Sequence, residues 1–221
     1  MAIAFFDLDR TLIDVNSGEL WVRSEWKLGR LATREVMWAA WWLARYKFGH
    51  GKGLDLVFQR AALGLVGQRE DELADRVRAW FELEVAHHLR PGGRVALDKH
   101  REQGDRLVLA TSGTYYAATA AAHAFGIETV VSTELEVAEG LFTGQIRTLA
   151  VGDGKLTAVA SWAEREGVDF EDATFYSDSF TDVALLEAVR EPVVVNPDRK
   201  LRRHAALRGW PIVDWGLAPR A

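Results

Sequence analysis

The chain has 221 residues, no cysteine and a formal charge of -5, which excludes a disulfide framework, thiolate catalysis and Cys-bound zinc. With no basic block, this charge also argues against general nucleic-acid binding and leaves room only for a local anion site. The length suits one large domain or a core with an insert.

An apolar strand, Ile3-Ala4-Phe5-Phe6, opens the chain and runs straight into Asp7-Leu8-Asp9-Arg10-Thr11-Leu12. Residues two apart on a strand share a face, so Asp7 and Asp9 are offered to one small volume, where they repel unless a cation or a proton separates them. No basic n-region or small-residue cleavage site precedes them, and they stand where the apolar run of an export signal would continue, so a cytoplasmic location is expected.

From about 17 to 89 the pattern is helical, broken at Gly29, at Gly49 to Gly53 and near Gly64 to Gly67. Trp38, Trp41 and Trp42 fall on one helical face. That face has three readings: the packed core of a small helical domain, an apolar substrate wall, or a membrane-interface or dimer contact. Pro91-Gly92-Gly93 marks a boundary before a helix over 95–103. Next come a buried strand at 107–110, a helix over 115–125 closed by Gly126, and a strand at 129–131. Antiparallel strands are expected near 134–137 and 141–146, then a helix over 155–166, a strand at 174–176, a helix over 182–189 and a strand at 193–195. Strands alternating with helices predict an α/β fold: a mostly parallel, Rossmann-like sheet covered on both faces, with an all-helical cap inserted after the first strand. The expected division is a core of 1–14 and 90–221 with a cap of 15–89.

Ligands bind beyond the carboxyl ends of strands in such sheets. Those ends carry Asp7, Asp9 and Thr11; Thr111, Ser112 and Gly113; and Ser177, Asp178, Ser179 and Asp182, while Lys155 opens a helix after Gly152-Asp153-Gly154. The inventory suits phosphoryl transfer. Asp7 and Asp178 offer hard oxygen ligands of the kind that suits magnesium. The Thr111 hydroxyl and the amides of Ser112 and Gly113 suit phosphate oxygens, and Lys155 would neutralise the remaining charge. One carboxylate can then attack phosphorus while another handles a proton.

These segments resemble the haloacid dehalogenase-like superfamily of phosphohydrolases. Asp7-Leu8-Asp9-Arg10-Thr11 is similar to its Asp-X-Asp-X-Thr signature, Thr111 to its hydroxyl motif, Lys155 to its basic motif, and Ser177-Asp178-Ser179-Phe180-Thr181-Asp182 to its late acidic motif. The insert resembles the cap of the phosphoserine-phosphatase-like subgroup. The resemblance implies a magnesium-dependent phosphomonoesterase acting on a small phosphorylated metabolite. Asp7 would be the nucleophile that forms an aspartyl phosphate, and Asp9 the acid and base. It implies magnesium at Asp7, the Asp9 backbone carbonyl and Asp178, with Asp182 in support through water. Phosphate or substrate contacts would come from Thr11, Thr111, Ser112, Gly113, Lys155 and the cap residue Arg60. Asn16 stands where phosphoserine phosphatases carry a Glu that grips the substrate's amino group, which argues against phosphoserine itself. The rivals are a phosphotransferase or lipid-phosphate phosphatase of the same fold, and a noncatalytic binding protein.

Overall fold

The computed structural model describes residues 2–34, 37 and 54–218. Trp38, Trp41 and Trp42 and the Gly49 to Gly53 link lie outside the described residues.

Strand β1 (Ile3–Phe6) is buried along its whole length because it pairs on both edges, with β2 (Arg106–Thr114) and β5 (Thr174–Ser177), in parallel register. Its alternating side chains feed two cores. Phe5 faces Val108, Val159, Trp162, Phe175 and Leu186, while Phe6 faces the opposite layer with Leu109, Tyr116 and Tyr176. Strands β3 (Thr129–Ala138), β4 (Leu141–Thr148), β6 (Glu191–Val195) and β7 (Ile212–Val213) complete a seven-stranded sheet in the order β4-β3-β2-β1-β5-β6-β7. Every pairing is parallel except β3 with β4. The expected Rossmann-like α/β core is therefore present.

Helices α1 (Ser17–Lys27), α2 (Leu54–Leu63) and α3 (Glu70–Glu84) lie between β1 and β2, ahead of α4 (Pro91–Glu102). The remaining covering helices are α5 (Tyr115–Phe125), α6 (Asp153–Glu166), α7 (Val183–Ala188) and α8 (Arg199–Arg208). The described part of the insert packs onto the core. Leu73, Val77, Trp80 and Phe81 of α3 join the same buried cluster as Phe6, Leu8 and Leu12, and the Phe81 and Phe125 rings meet edge to face at 6.0 Å. Main-chain bonds from Gly67 N to Phe142 O (3.0 Å), Phe142 N to Gln68 O (3.1 Å) and Glu70 N to Gly140 O (2.9 Å) lay the connection before α3 along β4. Among the described residues no helix is long and apolar enough to cross a membrane.

Several boundaries differ from expectation. The strand expected at 107–110 runs as β2 to Thr114, so Thr111, Ser112 and Gly113 lie within it and not beyond its end, and β7 was not expected. The strands expected at 129–131 and 134–137 are one strand, β3, whose register against its neighbours is irregular near Glu134 and Leu135. The helix expected over 182–189 is a 3-10 turn, Phe180–Asp182, continued by α7. Helix α4 begins at Pro91 and runs through Gly92 and Gly93, which looked like a breaker. Pro is suited to a first helical position, and both glycines are there for space: a Cβ on Gly92 would come within 2.5 Å of the Trp215 ring, and one on Gly93 within 3.3 Å of Leu12.

Candidate active site

The strand ends converge as the parallel sheet requires. The Asp7 amide continues the β1 ladder by donating to Tyr176 O at 3.0 Å, which fixes the Asp7 side chain at the sheet edge. One carboxylate oxygen, Oδ1, accepts from Lys155 Nζ at 2.8 Å, and Oδ2 lies 3.1 Å from Thr11 Oγ1. Lys155 reaches this place because α6 starts close beneath it. Gly154 permits that start, since a Cβ there would stand 2.2 Å from Leu149 O. The Lys155 ammonium also donates to Asp182 Oδ2 at 2.8 Å, an oxygen that accepts a further bond from Ser177 Oγ at 2.7 Å. Asp182 Oδ1 is buried without a hydrogen-bond partner.

Thr11 has no exposed surface. Its hydroxyl accepts from Asp178 N at 3.0 Å and lies within reach of both Asp7 Oδ2 and Asp178 Oδ1, the latter at 3.3 Å. A hydroxyl has one proton to give, and here it goes to a carboxylate. Thr11 thus bridges the two aspartates from behind and holds them in register. Asp9 is only partly buried and points elsewhere. Its Oδ1 accepts from Ser17 N at 2.6 Å, at the start of α1, so the second carboxylate of the signature is tied to the first helix of the insert. Asn16 caps that helix, accepting from Glu19 N at 2.8 Å.

The end of β2 past its register shift, from Thr111 to Gly113, closes on itself. Gly113 N donates to Thr111 Oγ1 at 3.1 Å, while Thr133 Oγ1 donates to Ser112 O at 3.0 Å and accepts from Ala150 N at 3.2 Å. Thr133, which the sequence reading missed, thus ties the end of β2 to the segment leading into Lys155. Nothing in a strand threonine announces that role. Ser177, named among the strand-end residues, serves here as the hydrogen-bond partner of Asp182. Arg60 is exposed in the last turn of α2.

Electrostatics distinguish this cluster from an ordinary core. Asp7, Asp178 and Asp182 are all buried with one buried ammonium, Lys155. Their formal charges leave an excess of two negatives. Burial pushes Asp7 up to about 7 against the opposing pull of Lys155, and burial with the nearby Asp7 and Asp182 pushes Asp178 up to about 8. Burial alone would lower the Lys155 pKa, but Asp182 and Asp7 outweigh it and raise it. Asp9 is raised by burial, against the Ser17 amide. Two surplus negative charges and an orphaned Asp182 oxygen fit a divalent cation. Among the described residues no three Asp, Glu or His side chains surround one point, so such a cation would draw on Asp7, Asp178, a main-chain oxygen and water, the coordination magnesium favours.

A family model described as haloacid dehalogenase-like hydrolase matches residues 4–187. The chain belongs to that family. It is 30% identical over 218 residues to a histidinol-phosphatase of Neisseria meningitidis serogroup C, covering 96% of this chain and 98% of that protein. It is 32% identical over 224 residues to a Mycobacterium tuberculosis protein named phosphoserine phosphatase SerB1, covering 100% of this chain and 73% of that one. A solved structure from Bordetella pertussis Tohama I, described as a protein with unknown function, superposes with a TM-score of 0.88 at 28% identity, over 97% of this chain and 99% of that chain. The haloacid dehalogenase-like resemblance read from four short motifs is thus borne out. The chain is a hydrolase of this family with phosphatase relatives.

Proposed function

We propose that this family member is a magnesium-dependent phosphomonoesterase acting on a small phosphorylated metabolite in the cytoplasm, with 15–89 as its cap and 1–14 and 90–221 as its core. The observation that carries the reading is the buried group of Asp7, Asp178 and Asp182 around Lys155, over-negative by two charges at the carboxyl edge of the sheet. Asp7 attacks phosphorus, the ester oxygen leaves with a proton from Asp9, and the aspartyl phosphate on Asp7 is hydrolysed by water that Asp9 deprotonates. Lys155 keeps Asp7 ionised and aimed, and with Thr111 and the Ser112 and Gly113 amides it holds the transferred oxygens. The Gly113 amide would exchange its Thr111 bond for one to phosphate. Magnesium, held by Asp7, the Asp9 carbonyl and Asp178, with Asp182 behind water, would neutralise phosphoryl charge. Arg60, on the cap, would meet an anionic group of the substrate.

Phosphoserine is not the expected substrate, because Asn16 is occupied as a helix cap and offers no carboxylate for an amino group. The test is phosphate release with magnesium from a panel that includes histidinol phosphate, phosphoserine, other phosphorylated metabolites and lysophospholipids. Turnover of one small metabolite well above the rest supports the reading. Release from none of them, with magnesium bound, sinks it.

The charge excess also predicts an unusual stability profile. Asp7 and Asp178 keep their protons to a higher pH when folded than when unfolded. Without metal, the native state therefore holds the extra protons as pH rises from about 4, the ordinary carboxylate range, towards 7 and 8, and stability falls across that window. Magnesium should reverse this at pH 8 and do little at pH 5. At a hundredfold excess over Kd, binding adds about 2.7 kcal/mol, or roughly 5–10 °C in Tm for a chain of this size. Melting curves in chelator and in magnesium at both pH values check it; an equal magnesium shift at both would remove the cation from these carboxylates.

A further inference from the structure

The chain crosses between core and insert twice, and both crossings are held by one short segment near residues 214–218. On the outgoing crossing, Arg10 adopts a left-handed backbone with φ of 61°, a conformation a non-glycine residue holds only when its surroundings impose it. Its amide donates to Val15 O at 3.0 Å. On the return crossing, Arg90 donates its own amide to Leu12 O at 2.8 Å, and Asp14 N donates to His88 O at 3.1 Å. The Arg90 side chain is buried, with 6% of its surface exposed. Its Nε donates to Arg10 O at 3.3 Å, and its Nη1 donates to Gly216 O.

Segment 214–218 is fixed to both crossings and to the core. Asn196 donates to Asp214 Oδ1 at 2.6 Å and accepts from Trp215 N at 3.0 Å. Trp215 fills the space left by Gly92 and accepts from Gly92 N at 3.0 Å. Ala218 N donates to Asp14 Oδ2 at 3.0 Å, while Asp14 Oδ1 pairs with His88 Nδ1 at 2.7 Å. A buried guanidinium loses its hydration, and it remains only where fixed oxygens replace the lost water. Here those oxygens are the Arg10 and Gly216 carbonyls, and no substrate group is needed to explain it.

We infer that segment 214–218 is a strap locking the two core–cap crossings together, and that Arg90, anchored on it, is a positioning residue that holds the Arg10 carbonyl and so keeps Asp9 in register with Asp7. The inference rests on the proposed role of Asp9 as acid and base. A residue that aims the acid matters for an alcohol, which leaves only when protonated. It matters little for p-nitrophenolate, which leaves as the anion. Substrates of the two kinds therefore separate positioning from simple loss of fold.

The experiment compares kcat/KM for an alkyl phosphate and for p-nitrophenyl phosphate in wild type, Arg90→Met, Arg90→Lys, Gly92→Ala and Asp9→Asn. General acid catalysis contributes about 10²–10⁴-fold, so misplacing Asp9 in Arg90→Met should remove about 10–100-fold on the alkyl ester and less than about threefold on the aryl ester. Lysine cannot reach two carbonyls in a fork and should recover only part of the loss. Gly92→Ala keeps the Arg90 side chain but pushes the strap away, since its Cβ would meet the Trp215 ring at 2.5 Å and the Trp215 Cα at 2.7 Å, and should show the same alkyl-selective loss; Arg90→Lys, which adds no bulk, keeps the inference testable if Arg90→Met or Gly92→Ala does not fold. Equal losses on both esters in the Arg90 and Gly92 variants, or none, overturn the strap. If Asp9→Asn itself fails to separate the two esters, the proposed role of Asp9 falls first, independently of the strap.

Discussion

Replacing Asp7 with asparagine is expected to lower phosphate release by three or more orders of magnitude while leaving the protein folded. Loss of a covalent nucleophile commonly removes about 10⁴–10⁶ in kcat, because the groups around it act as one unit. The amide keeps the shape of the carboxylate, so its oxygen can still accept from Lys155 while its nitrogen takes the Oδ2 place beside Thr11, whose proton can turn to Asp178, but it can neither attack phosphorus nor ligate a cation as an anion. Stability should move the opposite way from activity. Asp7 is one of three buried carboxylates sharing a single ammonium, and burial already holds its pKa well above the ordinary range. Removing its charge relieves repulsion on Asp178, so at pH 8 without metal the variant should melt no lower than wild type. Its response to magnesium should shrink. Single-turnover assays with melting curves in chelator check both halves. Activity within tenfold of wild type would place the nucleophile elsewhere.

The residues that gather at the sheet edge were legible because most of them follow a buried strand or open a helix, and strand ends in a parallel sheet meet in space. Ile3 to Phe6 reads as a strand from composition alone, and Asp7, next in the chain, had to stand at the sheet edge. The same logic placed Lys155 and Asp178, whereas Thr111 lies inside β2, just past the point where its register against β3 shifts. That logic failed where function depends on the partner and not on the residue. Thr11 belongs to the signature, yet its place behind Asp7 and Asp178 comes from a long-range contact with the Asp178 amide, which no local pattern encodes. Asp9 looked like a twin of Asp7 by strand spacing. The chain leaves the strand at Phe6 and turns through Arg10, so the two carboxylates take different neighbours, Lys155 for one and the Ser17 amide for the other. Gly92 and Gly93 misled because a glycine pair usually marks a break. These two are required by Trp215 and Leu12, residues far away in sequence or hidden in the core.

Lys155→Met should be the most destabilising single change at this site, and its pH dependence should reveal why. Methionine fills much of the same buried volume, so packing is largely conserved; what disappears is the charge. Asp7 Oδ1 and Asp182 Oδ2, each 2.8 Å from the ammonium, are then left buried beside Asp178 with no cation among them. Breaking a buried ion pair from one side costs about 3–5 kcal/mol, or about 10 °C in Tm for a chain of this size. The deficit should be largest near pH 8 without metal. It should shrink as pH falls through the raised Asp178 and Asp7 values, because protonation then removes the charges that Lys155 had balanced. Magnesium would compensate in part by supplying positive charge at Asp7 and Asp178, but it would leave Asp182 facing methionine. Activity should fall by at least about 10²-fold, since a preformed cation at the phosphoryl oxygens is a large electrostatic contribution. The pair Asp7→Asn with Lys155→Met makes the argument quantitative. If the interaction is as direct as the 2.8 Å contact indicates, the double variant should be less destabilised than the sum of the single ones, by up to about 3 kcal/mol. Strict additivity in chemical denaturation would show that the lysine stabilises the fold through Asp182 alone.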